Sequence, residues 1–262
     1  MGPRSAPHVG SIAVRIDGKT ALVTGASSGI GRQIAWQLAE AGAHVIIVAR
    51  DAARSAETVA LRPDRIVWFD ADLARSEGQD AVVAEVRRRW PDLAILVNNA
   101  GTQVNLPPTG LGDDGRLAAM RAELELNLMA PMALSLGLMP ILERQVNAVC
   151  VNISSGLAVA PKRTAPGYCA SKAGLRAFTR SFRYRCEDAA PSVRVIDAVM
   201  PLVDTAMTAG RGRGKISAEA AAAGVVDAIR GGRDEVWIGK ARLLRPLVRL
   251  APARAYRLMR DG

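Results

Sequence analysis

Short apolar runs alternate with amphipathic stretches along most of the chain. Thr20–Thr24, His44–Ala49, Arg65–Phe69, Leu93–Val97, Ala148–Ile153, Val193–Val199 and Glu235–Ile238 are brief, largely apolar and rich in β-branched residues, so each predicts a strand. Between them, apolar residues recur at helical spacing. These segments predict helices over Arg32–Ala41, Ala52–Leu61, Gly78–Trp90, a region containing Asn127 and continuing to Leu142, Tyr168–Arg185, and Ala218–Arg230. Strand and helix alternate from residue 17 to residue 240 with no break in composition. One doubly wound α/β domain follows, a parallel sheet flanked by helices.

The ends differ from this body. Residues 1–16 have mixed polarity and no sustained period, which predicts a flexible leader. Residues 241–262 form a basic amphipathic tail in which leucines recur among arginines. Pro246 and Pro252 are expected to break it into short helical pieces.

Composition narrows the chemistry. At 262 residues and 49% hydrophobic, the chain suffices for one large core. Its three cysteines lack a C-x-x-C pair, which argues against a disulfide framework and a zinc site. With only His8 and His44, histidine-based catalysis is disfavoured. No stretch reads as a secretion signal, no membrane-spanning segment is expected, and a cytoplasmic location is expected. The net charge of +10 raises nucleic acid or anionic lipid as partners. No stacking aromatics interleave with the arginines, so nucleic acid is set aside. For the tail, packing or homo-oligomer contact ranks ahead of contact with a membrane surface.

The first strand runs into Gly25-Ala-Ser27-Ser28-Gly29-Ile30-Gly31, and a helix follows. This is a dinucleotide-binding entry of Rossmann type. Gly25 makes a tight turn, Gly29 lets backbone approach a pyrophosphate, Gly31 permits close helix packing, and the helix N-terminus faces the anion. After the second strand, where an acid would accept a ribose 2′-hydroxyl, the chain has Ala49-Arg50. Arg50 suits a 2′-phosphate, with Arg54 and Ser27 assisting, which selects NADP(H) over NAD. Asp51 reads as the N-cap of the next helix.

Other candidates sit at strand ends, where open parallel sheets bind ligands. They are Asp72 and Leu73 after the third strand, and Asn99, Ala100 and Gly101 after the fourth. Pro201, Val203 and Thr205 follow the sixth. Asn127 is an amide in an apolar helix, unfavourable without partners. Ser154 and Ser155 end the fifth strand. Tyr168 and Lys172 lie one helical turn apart, so the ammonium can lower the phenol's pKa and make it an acid or base. Alone, Y-x-x-x-K also describes an ordinary amphipathic face.

Together these motifs resemble the short-chain dehydrogenase/reductase family in its single-domain form. The resemblance runs over about residues 17–240 and is closest to the DltE-like subgroup, named for a gene in the D-alanylation operon of teichoic acids. It implies a hydride transfer between NADP(H) and a small-molecule carbonyl or secondary alcohol. It further implies Tyr168 as acid/base, Lys172 lowering its pKa and holding the nicotinamide ribose, and Ser155 orienting the substrate oxygen. Asn127 would hold a water linking Lys172 to solvent. Asp72 would meet the adenine amine, Asn99 line the ribose path, and Thr205 touch the carboxamide. A dimer or tetramer is also implied. A nucleotide-binding sensor is the rival reading, which the intact Asn127, Ser155, Tyr168 and Lys172 disfavour. Leu202 departs from the family's usual Pro-Gly, so either the turn differs or the pocket narrows. Substrate choice falls to Thr102–Gly115, Leu157–Pro166 and Ala206–Lys215, the last expected to be a mobile lid.

Overall fold

The computed structural model describes residues 14–107 and 116–261. The strands of the main sheet are β1 (Thr20–Thr24), β2 (His44–Ala49), β3 (Ile66–Asp70), β4 (Leu93–Asn98), β5 (Ala148–Ser155), β6 (Val193–Met200) and β9 (Glu235–Trp237). All pair in parallel, in the order β3-β2-β1-β4-β5-β6-β9. Two short strands, β7 (Val203–Asp204) and β8 (Ile216–Ser217), form a separate parallel pair. The expected doubly wound sheet is therefore the observed one.

Side-chain alternation explains why the strands read as unbroken apolar runs. Val23, Val45, Ile47, Ile95 and Val149 enter one core, beneath α1 (Gly29–Glu40) and α7 (Ala218–Gly231). Leu22, Ile46, Leu96, Cys150 and Val195 enter the other. That side carries α3 (Ser76–Arg89), α5 (Ala130–Leu142) and α6 (Pro166–Ala189). With both faces covered, both are predominantly apolar. The helix α2 (Ala52–Leu61) has its predicted bounds.

Most element ends shift by one to four residues from expectation, and four departures have a plain physical cause. Val14 and Ile16 are buried in the first core, so the domain begins before residue 17; residues 1–13 of the expected leader lie outside the described residues. β5 continues through Ser154 and Ser155 because both are buried and pair with β6. α4 (Arg116–Leu124) joins α5 through a π-helical turn at Glu125–Met129. The resulting 27-residue helix has membrane-spanning length and hydropathy. It nevertheless buries Glu123, Asn127 and Ser135 and packs on α3 and α6, as a core helix does. Finally, Pro246 does not break the tail. It lies inside α8 (Ala241–Leu250), where it removes a single backbone donor, whereas Pro252 opens α9 (Pro252–Met259).

The winding direction reverses between β1 and β4, which are hydrogen-bonded neighbours. A crevice at their carboxyl ends follows from that topology.

Candidate active site

The glycine turn after β1 has the backbone its sequence demands. Gly25 (φ 65°) and Gly29 (φ 56°) both occupy the left-handed region. A Cβ on Gly31 would lie 2.4 Å from both Asn99 Nδ2 and the Gly25 carbonyl oxygen, so only glycine lets α1 approach this closely. Asn99 Nδ2 donates to the Thr24 carbonyl at 2.9 Å, and Thr24 Oγ1 accepts from the Asn99 and Ala100 amides at 3.0 Å. The ends of β1 and β4 are thus fastened together. α1 opens after Ser28 without a side-chain cap, which leaves first-turn amides able to serve an anion.

A cleft of about 750 Å³ runs from this turn across the sheet's carboxyl edge. Gly25, Ser27, Ser28, Gly29, Ile30 and Gly31 form its floor on the turn side. Arg50, Arg54, Asp72 and Leu73 line one end, and Asn99, Ala100 and Gly101 the middle. Ser155, Tyr168, Lys172, Pro201, Val203 and Thr205 line the other end. Of the site residues singled out from the sequence, only Asn127 is not in the wall. It stands behind Gly101, whose added Cβ would meet Asn127 Oδ1 at 3.1 Å and Lys172 Nζ at 3.7 Å.

At the Arg50 end, the expected cap is present. Asp51 accepts from the Arg54 amide at 3.0 Å and pairs with Arg54 Nε at 3.0 Å. Arg50 is 65% exposed in its side chain and makes a long, 3.4 Å pair with Asp72. Asp72 also takes the Ala74 amide at 3.0 Å.

At the other end, Lys172 Nζ stands 5.9 Å from the Tyr168 ring centroid and donates to the Ile153 carbonyl at 2.9 Å. Ser155 Oγ accepts from the Leu157 amide at 3.1 Å, and its hydroxyl acts to lower the pKa of the Tyr168 phenol. Ser154 donates to the buried Asp197. Asn127 uses its amide fully: Oδ1 accepts from the Thr102 N–H at 2.8 Å, while Nδ2 donates to the Thr102 carbonyl at 2.8 Å and Ser171 Oγ at 3.2 Å. Burial pushes the Tyr168 phenol up to about 12, above its ordinary value, with the Ser155 hydroxyl the largest influence opposing the rise. Burial likewise brings Lys172 down to about 8, opposed by the charges of Asp197 and Glu123.

Leu202 has no left-handed backbone, so the turn after β6 differs from one that needs glycine. Its side chain lies against Gly212 of the 206–215 segment. That segment is pinned at its base by the β7–β8 pair and by Lys215, which donates to the Thr208 carbonyl at 2.8 Å and pairs with Asp204 at 3.1 Å. Arg211 reaches across to Asn105 Oδ1 at 3.3 Å. Thr205 packs against Gly29, its Cγ2 3.2 Å from where a Cβ would sit.

Two buried carboxyl groups near this site were not singled out from sequence. Asp197 on β6 pairs with Arg176 at 3.0 Å. Glu123 on α4 is fully buried. The available signal for Glu123 was its place one helical turn before Asn127, on the same face.

Residues 19–215 match the family described as short chain dehydrogenase. The uncharacterized oxidoreductase DltE of Bacillus subtilis is 33% identical over 253 residues, covering 94% of this chain and 98% of that protein. The crystal structure of a short chain dehydrogenase from Burkholderia cenocepacia in complex with NADP matches with a TM-score of 0.82 at 27% identity, covering 94% of this chain and 99% of its own. L-Sorbose reductase from Gluconobacter frateurii, complexed with NADPH and L-sorbose, matches with a TM-score of 0.76 at 28% identity, over 87% and 97% of the two chains.

Proposed function

The chain belongs to the short-chain dehydrogenase/reductase family, and on that premise we propose that it is an NADP(H)-dependent oxidoreductase interconverting a carbonyl and a secondary alcohol, with Tyr168 as acid/base. The observation that carries the reading is the continuity of the cleft. It joins the glycine turn and Arg50 at one end to Ser155, Tyr168 and Lys172 at the other. The donor set suits a 2′-phosphorylated dinucleotide. Arg50 is exposed and weakly held, while the nearby Asp51, whose charge opposes a phosphate, is committed to capping α2 and pairing with Arg54. The NADP and NADPH complexes of the two solved relatives support the same choice.

When bound, the nicotinamide supplies or accepts the hydride. The chain's own groups handle the proton. Tyr168 holds it on the phenolic oxygen, and the upward push of burial keeps that oxygen protonated at neutral pH. Ser155 Oγ, beside the phenol, orients the substrate oxygen toward it. Lys172 supplies a positive charge one turn away and is aimed by the Ile153 carbonyl. Asn127 braces Thr102 and Ser171 beside Lys172, the place at which a water would link that lysine to solvent. Asp72, Leu73, Asn99, Ala100 and Gly101 form the wall along the adenosine and ribose path. Pro201, Val203 and Thr205 close the nicotinamide end. Leu243 and Leu250, 73% and 81% exposed, supply an apolar face for assembly with a second copy.

A panel of carbonyls and alcohols assayed with both NADPH and NADH tests the reading. Turnover of at least one carbonyl with NADPH preferred is the expected result. Absence of binding to either nucleotide would overturn it.

A further inference from the structure

Glu123 is a fully buried carboxyl group with one oxygen engaged and one unpartnered among the described residues. Oε1 accepts from the Val104 amide at 2.8 Å. Oε2 has no hydrogen-bond partner there, and it lies 2.5 Å from where a Cβ on Gly167 would be. Gly167 is the residue before Tyr168, so the carboxyl group rests on α6 where the phenol emerges. Burying such a group is costly unless an opposite charge or further hydrogen bonds compensate it.

The neighbours show a pattern. Glu123 and Asn127 lie one helical turn apart and reach the same extended segment two residues apart, at Val104 and Thr102. Leu106, two residues further on, donates from its amide to the Thr164 carbonyl at 2.7 Å. That bond ties the same segment to the loop preceding α6. The segment leaving β4 is thus pinned at alternate residues, twice from α4 and its π-turn and once from the α6 side.

Resting on the function proposed above, we propose that Glu123 is a positioning residue. It holds the loop after β4 through Val104, and its charge keeps the Tyr168–Lys172 pair in its fully protonated state, phenol plus ammonium, from which a proton can be given to a carbonyl oxygen. The charged and titratable groups facing the pair are few among the described residues. Lys172 faces Asp197 from β6 and Glu123 from α4. Tyr168 faces Cys169 on its own helix, Glu123, and Arg211 from the 206–215 segment. Asp197 already has Arg176 as an ion-pair partner, whereas Glu123 has no ion pair among the described residues, and Lys172 is the charge that acts on it. Burial raises the Glu123 carboxyl above its usual range, opposed first by the Val104 amide and then by Lys172. An anion at this position favours the ammonium and disfavours the phenolate, so both effects retain protons.

The test uses the full chain without nucleotide. It contains five lysines, Lys19, Lys162, Lys172, Lys215 and Lys240, so lysine side-chain carbon resonances can be followed against pH, with Lys172→Met assigning the signal of interest. Glu123→Gln keeps an oxygen for Val104 and removes the charge. The Lys172 midpoint should fall by roughly half a unit to one unit, the scale of a nearby unit charge. An unmoved or raised midpoint would overturn the proposal. A second arm leaves Glu123 intact: in Lys172→Met, the labelled Glu123 carboxyl should titrate at higher pH than in the parent chain, and an unmoved titration would also overturn it. Neither arm measures turnover, so failure here is distinct from failure of the proposed reaction.

Discussion

Replacing Arg50 with alanine should change which nucleotide the chain prefers while leaving the fold intact. The guanidinium is 65% exposed, and its partner among the described residues is Asp72 at 3.4 Å. An exposed pair of that length contributes little, about 0–1 kcal/mol, so turning Arg50 onto a phosphate costs little. A charge-assisted hydrogen bond to the 2′-phosphate is worth about 1.5–3 kcal/mol. Exposure places Arg50 toward the lower part of that range, about 1.5–2 kcal/mol, which is roughly a 10- to 30-fold weakening of NADPH binding. NADH, lacking the phosphate, should bind Arg50→Ala about as well as the parent chain. Fluorescence titration of both nucleotides against both proteins measures the difference, and thermal unfolding checks that the fold is unchanged. Equal losses for NADPH and NADH would refute the assignment of Arg50 to the 2′-phosphate.

Gly31→Ala should cost about 1–3 kcal/mol through overpacking, because its Cβ would press on Asn99 and on the Gly25 carbonyl. Thermal unfolding would show this as a lower Tm, and an unchanged Tm would mean the helix can withdraw freely. Hydrogen exchange over residues 206–215 should slow when NADPH and substrate are both bound, as a closing lid requires; unchanged protection at saturation would remove the lid. Leu243→Ser combined with Leu250→Ser should lower the solution mass with little loss of monomer stability, since both side chains are exposed. Unchanged mass with lost binding to anionic vesicles would instead assign this face to a membrane surface.

The sheet was legible because its strands are buried on both faces, so β1, β2 and β4 stand out as apolar runs between helical patterns. The cleft was legible because each of its corners has a local reason for its residue type. Gly25 and Gly29 need a left-handed backbone, Gly31 needs a close helix, and Tyr168 and Lys172 need one helical turn between them. The β7–β8 pair left no periodic signal, because two residues on each side are too few to show alternation. Pro246 was misleading, since one missing N–H does not stop a helix anchored by its buried Ala241 and Leu244. Glu123 was hidden because an acid on an otherwise mixed helix reads as a solvated charge. Its burial is set by Gly167 and Val104, which come from other parts of the chain. The direction of the Tyr168 shift was likewise beyond a spacing argument, because burial depends on everything packed around the phenol.

The central claim is that Tyr168 carries the proton in a reaction run with NADP(H), and Tyr168→Phe tests it most directly. The substitution keeps the ring and removes the transferable proton. With the best substrate found in the carbonyl panel, kcat should fall by roughly 10²–10⁴-fold while NADPH affinity stays close to that of the parent chain. Near-normal turnover by Tyr168→Phe would contradict the account.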